Sequence, residues 1–186
     1  MALIKHGKLV EDIWHDTDDF TDVQALAALG PVIVSLELWQ QQRDAILALG
    51  GEIGLRLAPG QTPDLVTADL HRFTLIALEF TKFTDGRAYS QARLLRQRHG
   101  YKGELRAVGQ VLRDQLAFMV RCGFDSFSVD SQRHAQAILD AEAEFAHWYQ
   151  PAQDGGSTIP ALRRGRLGSR VNLASVTDRC AANWAY

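Results

Sequence analysis

The sequence has little cysteine and no long hydrophobic run, and these two shortages limit where the protein is expected to reside. Its only cysteines, Cys122 and Cys180, form no C-x-x-C pair, and such sparse usage suits a reducing cytosol. No apolar stretch approaches the roughly 18 residues of a membrane span, and the first residues lack the apolar core of a secretory signal. We therefore expect a cytoplasmic protein without a membrane segment.

The sequence also lacks the motifs of several common catalytic and binding classes. A formal net charge of −2 argues against a general nucleic-acid binder, which would carry a strongly basic face. The six histidines are scattered, with no H-x-x-x-H pair and no Cys/His cluster, so no metal site is predicted. No G-x-G-x-x-G follows a predicted strand and no G-x-S-x-G surrounds a serine. We therefore expect no resident cofactor and no nucleophile elbow.

What the chain does contain is a regular alternation of β-rich and helical segments over residues 1–150. Strands that alternate with helices of 10–15 residues indicate βα units around a mainly parallel sheet. The pattern predicts an α/β domain that is either Rossmann-like or a partial barrel, and it does not decide between them. Residues 4–14 alternate around Gly7 and predict an N-terminal hairpin. Residues 151–186 are rich in Gly, Ser and Arg and predict an irregular C-terminal tail.

Individual elements follow from hydrophobic runs, caps and breakers. The acidic run at residues 16–19 is expected to cap the first helix, and Gly50, Gly100 and Gly123 are expected to end later helices. The predicted helices cover residues 20–29, 40–50, 63–73, 85–99, 110–122 and about 130–149. The predicted strands after the hairpin cover residues 32–39, 52–59, 75–80, 104–109 and 126–129.

Polar residues gather where two neighbouring strands of this scheme would end, which is where open α/β sheets bind ligands. Helix starts offer unpaired N–H groups and a positive dipole end, and an arginine can hold two oxygens of an anion. The predicted anion-binding residues are Lys82, Arg87 and Ser90 at the first junction, with Arg113 and Gln115 at the second. Asp85 and Asp114 are either helix-capping carboxylates or candidates for a general base.

Arg106 interrupts a strand that is predicted to be buried. Its charge must be paired or reach solvent, because unpaired burial costs several kcal/mol. Glu79, near the end of the preceding strand, is the expected partner. The two residues would form either a structural ion pair or an acid/base couple.

The run "LEFTKFTDGRAYSQARLLRQRHGYKGELRAVGQVLRDQLAFMVRCGFDSF" closely resembles the bacterial family catalogued as domain of unknown function 934, and the similarity extends over about residues 4–150. Thr81 and Ala88 depart from the proline and glycine common in that family. The resemblance implies a cytoplasmic protein without an established activity, often encoded beside assimilatory sulfite reductase. It therefore implies a role in sulfur metabolism.

Three hypotheses follow. The first is an accessory protein of assimilatory sulfite reduction, which binds either the reductase or a small oxyanion at the strand-end loops. The second is an enzyme acting on a small anionic substrate, with Asp85 or Asp114 as general base and Arg87 holding the charge. The third is a purely structural interaction domain whose charged residues pair with one another.

Overall fold

The protein is built on one curled sheet of eight strands with helices between them. The computed structural model describes residues 2–17, 23–26, 28–129, 147–153 and 156–166. The strands are β1 Ala2–Lys5, β2 Lys8–Val10, β3 His15–Asp16, β4 Val32–Ser35, β5 Ile53–Leu57, β6 Phe73–Phe80, β7 Glu104–Gly109 and β8 Ser126–Val129. The α-helices are α1 Val23–Leu26, α2 Leu36–Ala48, α3 Arg87–Arg93, α4 Leu116–Cys122 and α5 Ile159–Arg166. Two 3-10 helices, Pro63–Arg72 and Arg113–Gln115, and a π-helical turn, Leu94–Arg98, complete the described elements.

The strand order selects the partial barrel over the Rossmann-like alternative. Strands β3 to β8 are parallel and lie side by side in sequence order, and β1 and β2 continue the sheet antiparallel beyond β8. Right-handed crossovers between consecutive parallel neighbours place the described connecting helices on the same face. The order has no reversal of the kind that divides a doubly wound sheet. The result is a mixed sheet that forms a half-barrel.

The two faces of the sheet differ in the side chains that pack on them. The helix-covered face is apolar and contributes Leu55, Ile76, Leu105 and Phe127 to the main core. The opposite, concave face carries a small second cluster around Ile33, Leu75 and Ala77, against which Trp14 packs. Gly54 makes this packing possible, since a Cβ atom there would lie 3.1 Å from the Trp14 ring. The N-terminal segment thus covers part of the concave face.

The predicted N-terminal hairpin is confirmed. Strands β1 and β2 pair antiparallel from Lys5 opposite Lys8 to Leu3 opposite Val10. Only two residues, His6 and Gly7, connect them, with φ values of 51° and 66°. Positive φ at both central residues is the requirement of the type I′ turn, whose twist matches that of paired strands.

Strand β4 is shorter than predicted. The pattern predicted a strand over residues 32–39, but β4 ends at Ser35 and α2 begins at Leu36. The Ser35 hydroxyl accepts a hydrogen bond from the Leu38 amide at 3.2 Å, which is a helix N-cap. Leu36 and Trp39, three residues apart, then bury the same face of the helix. The apolar run therefore reflects two consecutive buried elements.

Two predicted helices are also divided in the structure. The helix expected over residues 85–99 is α3 followed by the π-helical turn, and that over 110–122 is a 3-10 turn followed by α4. Of the acidic run expected to cap the first helix, Asp16 lies in β3, and residues 18–19 lie outside the described residues. Most of the helix predicted over 130–149 and residues 167–186 of the predicted tail also lie outside them. Within the expected tail, α5 is helical and Thr158 bridges to Trp148.

Gly109 joins the carboxyl ends of β6 and β7. Its φ is 86°, and a Cβ atom there would lie 2.5 Å from the Phe80 carbonyl oxygen. That oxygen accepts a hydrogen bond of 2.8 Å from the Gln110 amide, so it cannot move aside without breaking the bond. The close approach brings the loop after β7 beside the loop after β6.

We expect Gly109→Ala to lower the free energy of unfolding by about 3 kcal/mol, since left-handed strain and a backbone clash add. Gly50→Ala is the matched control: Gly50 has a φ of 70° with nothing within 4 Å of its would-be Cβ, so only the strain of about 1 kcal/mol applies. Urea unfolding of both variants measures the difference. Equal losses would contradict the close approach at Gly109.

Candidate functional site at the strand ends

The loops that follow β6 and β7 lie next to each other because these parallel strands are neighbours in the sheet. The first loop carries Lys82 and leads into α3, on which Arg87 and Ser90 lie. The second leads into the 3-10 turn that carries Arg113 and Gln115. The structure therefore brings the predicted anion-binding residues to one edge of the sheet, at the carboxyl ends of its strands.

Asp85 and Arg87 form a close ion pair in the first loop. The Arg87 guanidinium donates to both Asp85 carboxylate oxygens, at 2.9 Å from Nε and 2.6 Å from Nη2. The Asp85 carboxylate also accepts from the Arg87 backbone amide at 3.2 Å, which forms an Asx turn just before α3. These side-chain and backbone hydrogen bonds from Arg87 lower the pKa of Asp85 to about 2. At neutral pH this carboxylate is therefore a weak base, and it is ion-paired with Arg87.

The predicted residues lie on an open surface. The side chains of Lys82, Ser90, Arg113 and Asp114 are exposed, and Arg87 retains 65% of its side-chain exposure despite the ion pair. Gln115 is half-buried, and its amide oxygen is enclosed without a hydrogen bond from the described part of the chain. The charged groups of this region therefore lie on an exposed surface.

Large hydrophobic side chains stand among these charges. Phe83, Leu112 and Phe118 are 57%, 39% and 55% exposed. The Phe118 ring rests on Tyr89 of α3, with centroids 4.8 Å apart, and Tyr89 in turn contacts the buried Phe80 ring. We call this region the strand-end surface; it consists of Lys82, Phe83, Arg87, Leu112, Arg113 and Phe118.

Gln91 is a positioning residue that the sequence analysis missed. Its side chain is 5% exposed, and its amide nitrogen donates to the carbonyls of Ala58 at 2.9 Å and Gln61 at 2.6 Å. The loop after β5 is thereby fastened to α3. The signal was present in the sequence, because Gln91 shares the helix face of the buried residues Ala88, Ala92 and Leu95.

Arg106 finds different partners from the one expected. Its guanidinium donates to both carboxylate oxygens of Asp12 at 2.9 Å and to Glu104 at 3.1 Å, whereas Glu79 was the predicted partner. Register explains the difference: Arg106 lies opposite Ala77, while Glu79 lies opposite Val108. Glu79 instead acts on Arg56: burial lowers the pKa of Arg56 below its usual value, and the charge of Glu79 opposes part of that shift. Arg56 itself forms an ion pair with Asp16.

Glu104 stands at the centre of a buried ion cluster on the concave face. The Arg106 side chain is 3% exposed and that of Glu104 is 10% exposed. Glu104 also accepts hydrogen bonds from Lys5 at 2.6 Å and from the Ser126 hydroxyl at 2.5 Å. Burial acts to raise the pKa of Glu104, but these hydrogen bonds and the Arg106 charge hold it below its usual value. The cluster joins β1, the segment before β3, β7 and β8.

The described residues contain no group of three or more His, Cys, Asp or Glu side chains placed to hold a metal ion. In the same part of the chain, every helix is too short or too polar to cross a bilayer.

Cys122 is buried, and burial raises the pKa of its thiol.

We expect Arg106→Met to lower the free energy of unfolding by about 3 kcal/mol, because Asp12 loses its partner and the buried Glu104 keeps only Lys5 as a counter-charge. Arg43→Met serves as the control, since Arg43 pairs with Asp69 at a half-exposed position and such pairs contribute about 0–1 kcal/mol. Urea unfolding at neutral pH compares them. A loss in Arg106→Met no larger than that of the control would contradict a structural role for the cluster.

We expect the Asp85 carboxyl to titrate at about pH 2 in the wild type and at a higher pH in Arg87→Gln, because the guanidinium hydrogen bonds are lost while the backbone amide donor and Lys82 remain. Because the folded-state pKa is lowered, the stabilisation from this pair is present above the usual pKa of 3.8 and is lost as the pH falls through 2. Carbonyl-carbon NMR measures the titration, with Arg93→Gln, on an exposed position of α3, as control. A midpoint near 3.8 in the wild type would contradict the ion pair.

Comparison with known proteins gives a family and no curated relative. No curated protein matches the chain. A family model described as a bacterial protein of unknown function, DUF934, matches residues 54–159. The match begins within β5 and ends at the first residue of α5, so it includes the strand-end surface and Arg106, while the hairpin and Asp12 lie outside it. Since the match covers more than half of the sequence, the chain belongs to the bacterial DUF934 family of proteins of unknown function.

Proposed function

We propose that the protein is an accessory protein of assimilatory sulfite reduction that acts by binding sulfite reductase through its strand-end surface. The observation that carries this proposal is the exposure of Phe83 and Phe118 beside cationic side chains at one edge of the sheet. The pathway and the identity of the partner rest on the family resemblance. The mode of action rests on the surface itself.

The composition of this surface suits a protein partner. Single exposed hydrophobic residues are common on protein surfaces, but Phe83, Leu112 and Phe118 stand on two adjacent strand-end loops and the helix that follows them. Protein interfaces are enriched in aromatic residues and arginine, which supply most of the binding energy at a few positions. Lys82 and Arg87 would then steer an acidic partner surface towards the aromatic side chains.

The ion pair between Asp85 and Arg87 makes the two competing mechanisms less favourable. A small oxyanion would have to displace a carboxylate that already engages Nε and Nη2 of Arg87. An enzyme using Asp85 as general base would need a pKa near the working pH, whereas the pKa of Asp85 is about 2. A partner surface requires neither change, because Arg87 remains largely exposed while it is paired.

We expect the purified protein to bind the assimilatory sulfite reductase of the same organism, measured by biolayer interferometry. The double variant Phe83→Ser/Phe118→Ser should weaken binding by about 30-fold or more, corresponding to about 2 kcal/mol for hot-spot aromatic residues. The control is Tyr149→Ser, since Tyr149 is 74% exposed and lies outside the strand-end surface. Circular dichroism of each variant verifies folding.

Two outcomes would overturn the proposal. One is the absence of binding at concentrations up to about 100 μM, because a dissociation constant above that value is weaker than that of most specific protein complexes. The other is an equal loss of binding affinity in the double variant and in Tyr149→Ser. In parallel, thermal unfolding with sulfite, sulfate or phosphate tests the small-oxyanion form. A stabilisation that disappears in Arg87→Ala, with no binding to the reductase, would replace the partner by the ion.

A further inference from the structure

We propose that a cleft at the opposite end of β6 and β7 binds a small organic anion of about mononucleotide size. The cleft lies between the last turns of the 3-10 helix Pro63–Arg72 and the segment that leads from the π-helical turn into β7, and it has a volume of about 590 Å³. We call it the basal cleft. Its lining includes His71, Phe73, Arg98, His99, Tyr101 and Lys102.

The charge of the basal cleft has one sign. Arg98, Lys102, His71 and His99 line it, and no Asp or Glu side chain does. The whole chain has a formal charge of −2, so this concentration of cationic and imidazole groups runs against the overall balance. A concave surface lined by one sign of charge attracts ligands of the opposite sign. The basal cleft therefore favours an anion.

The cationic side chains remain able to reach a ligand. The Arg98 side chain is 66% exposed, and its nearest carboxylate, Asp64, lies outside the lining at 3.8 Å. Lys102 and His71 are exposed as well. The His99 side chain is 7% exposed, and its Nε2 lies 3.2 Å from an Asp64 carboxylate oxygen, so its ring forms part of the wall. Arg98 and Lys102 therefore offer exposed cationic groups of the lining to a phosphate or sulfate group.

The backbone segment between the π-helical turn and β7, which carries His99 and Lys102, is held in place by hydrogen bonds within the protein. The Arg96 guanidinium donates to the carbonyls of Tyr101 at 2.7 Å and Gly103 at 2.9 Å. It is itself held by Asp125 at 2.5 Å. From inside the cleft, the Tyr101 hydroxyl donates to the Phe73 carbonyl at 3.1 Å. A segment fixed at both ends loses little conformational entropy on binding, which favours affinity.

The size of the cleft and its apolar base indicate an organic ligand. Pockets for ligands of drug or cofactor size occupy about 300–1,000 Å³, and the basal cleft falls within that range. An inorganic phosphate or sulfate ion would fill only a small part of it. Leu70, Phe73 and Tyr101 supply apolar lining below the charged mouth, where the non-ionic part of the ligand would lie.

Isothermal titration of the full chain with adenosine monophosphate tests this inference, with adenosine and inorganic phosphate as matched partial probes. We expect submillimolar binding of adenosine monophosphate and at least tenfold weaker binding of each partial probe. The double variant Arg98→Gln/Lys102→Gln should weaken binding at least tenfold, because charge-assisted hydrogen bonds to the phosphate are lost. Arg163→Gln/Arg164→Gln, at exposed positions of α5, removes the same two charges outside the cleft and should bind as the wild type does.

Several results would overturn the inference. Absence of binding of adenosine monophosphate up to about 1 mM would do so, as would equal binding by the wild type and by the folded double variant. If adenosine bound as tightly as adenosine monophosphate, the phosphate group would contribute nothing to binding. If inorganic phosphate bound as tightly, the organic part would contribute nothing. Since the basal cleft shares no residue with the strand-end surface, its failure would leave the docking proposal standing, and the reverse also holds.

Discussion

The buried ion cluster around Arg106 is the interaction on which the arrangement of the half-barrel depends. Strands in sequence order carry their connections on one face, so the concave face must be covered by another part of the chain. Asp12 binds Arg106 across 94 residues of sequence, and Trp14 packs beside it over Gly54. A buried guanidinium without carboxylates would cost several kcal/mol. The charge in the centre of β7 therefore requires the N-terminal segment to lie where it does.

The local structure was largely predictable from the sequence, and the curvature of the sheet was not. The hairpin turn at Gly7, strand β7 and the end of α4 at Gly123 follow from glycine punctuation and apolar runs. The boundary at Ser35 was missed because Leu36 and Trp39 continue the apolar run of β4 into a buried helix. Strand order depends on contacts between distant segments, which a single sequence does not display. The alternation of elements therefore left an open sheet and a partial barrel equally acceptable.

The candidate site was predictable as a place, because strand ends of parallel sheets lie together, but its chemistry was not. Asp85 and Arg87 were assigned to separate roles, yet two residues of spacing at a helix start lets them bind each other. For Arg106, strand alternation places Glu104 on the same face two residues away, so one partner was within reach of sequence reasoning. Asp12 was not, because nothing local links the first hairpin to β7. Exposed aromatic residues such as Phe83 carry no sequence signal distinguishing surface from core.

The strand-end surface and the basal cleft are carried by the opposite ends of the same two strands, and this limits how they can influence each other. Strands β6 and β7 are paired along six positions, from Leu75 opposite Glu104 to Phe80 opposite Gly109, and most of their side chains are buried. At one end, Gln91 of α3 holds the loop after β5, and at the other, Arg96 holds the segment that leads into β7. Coupling between two sites requires an element with two alternative arrangements. A close-packed strand pair with fastened ends offers a rigid support instead, so occupation of one surface leaves the geometry of the other unchanged unless the sheet itself shifts.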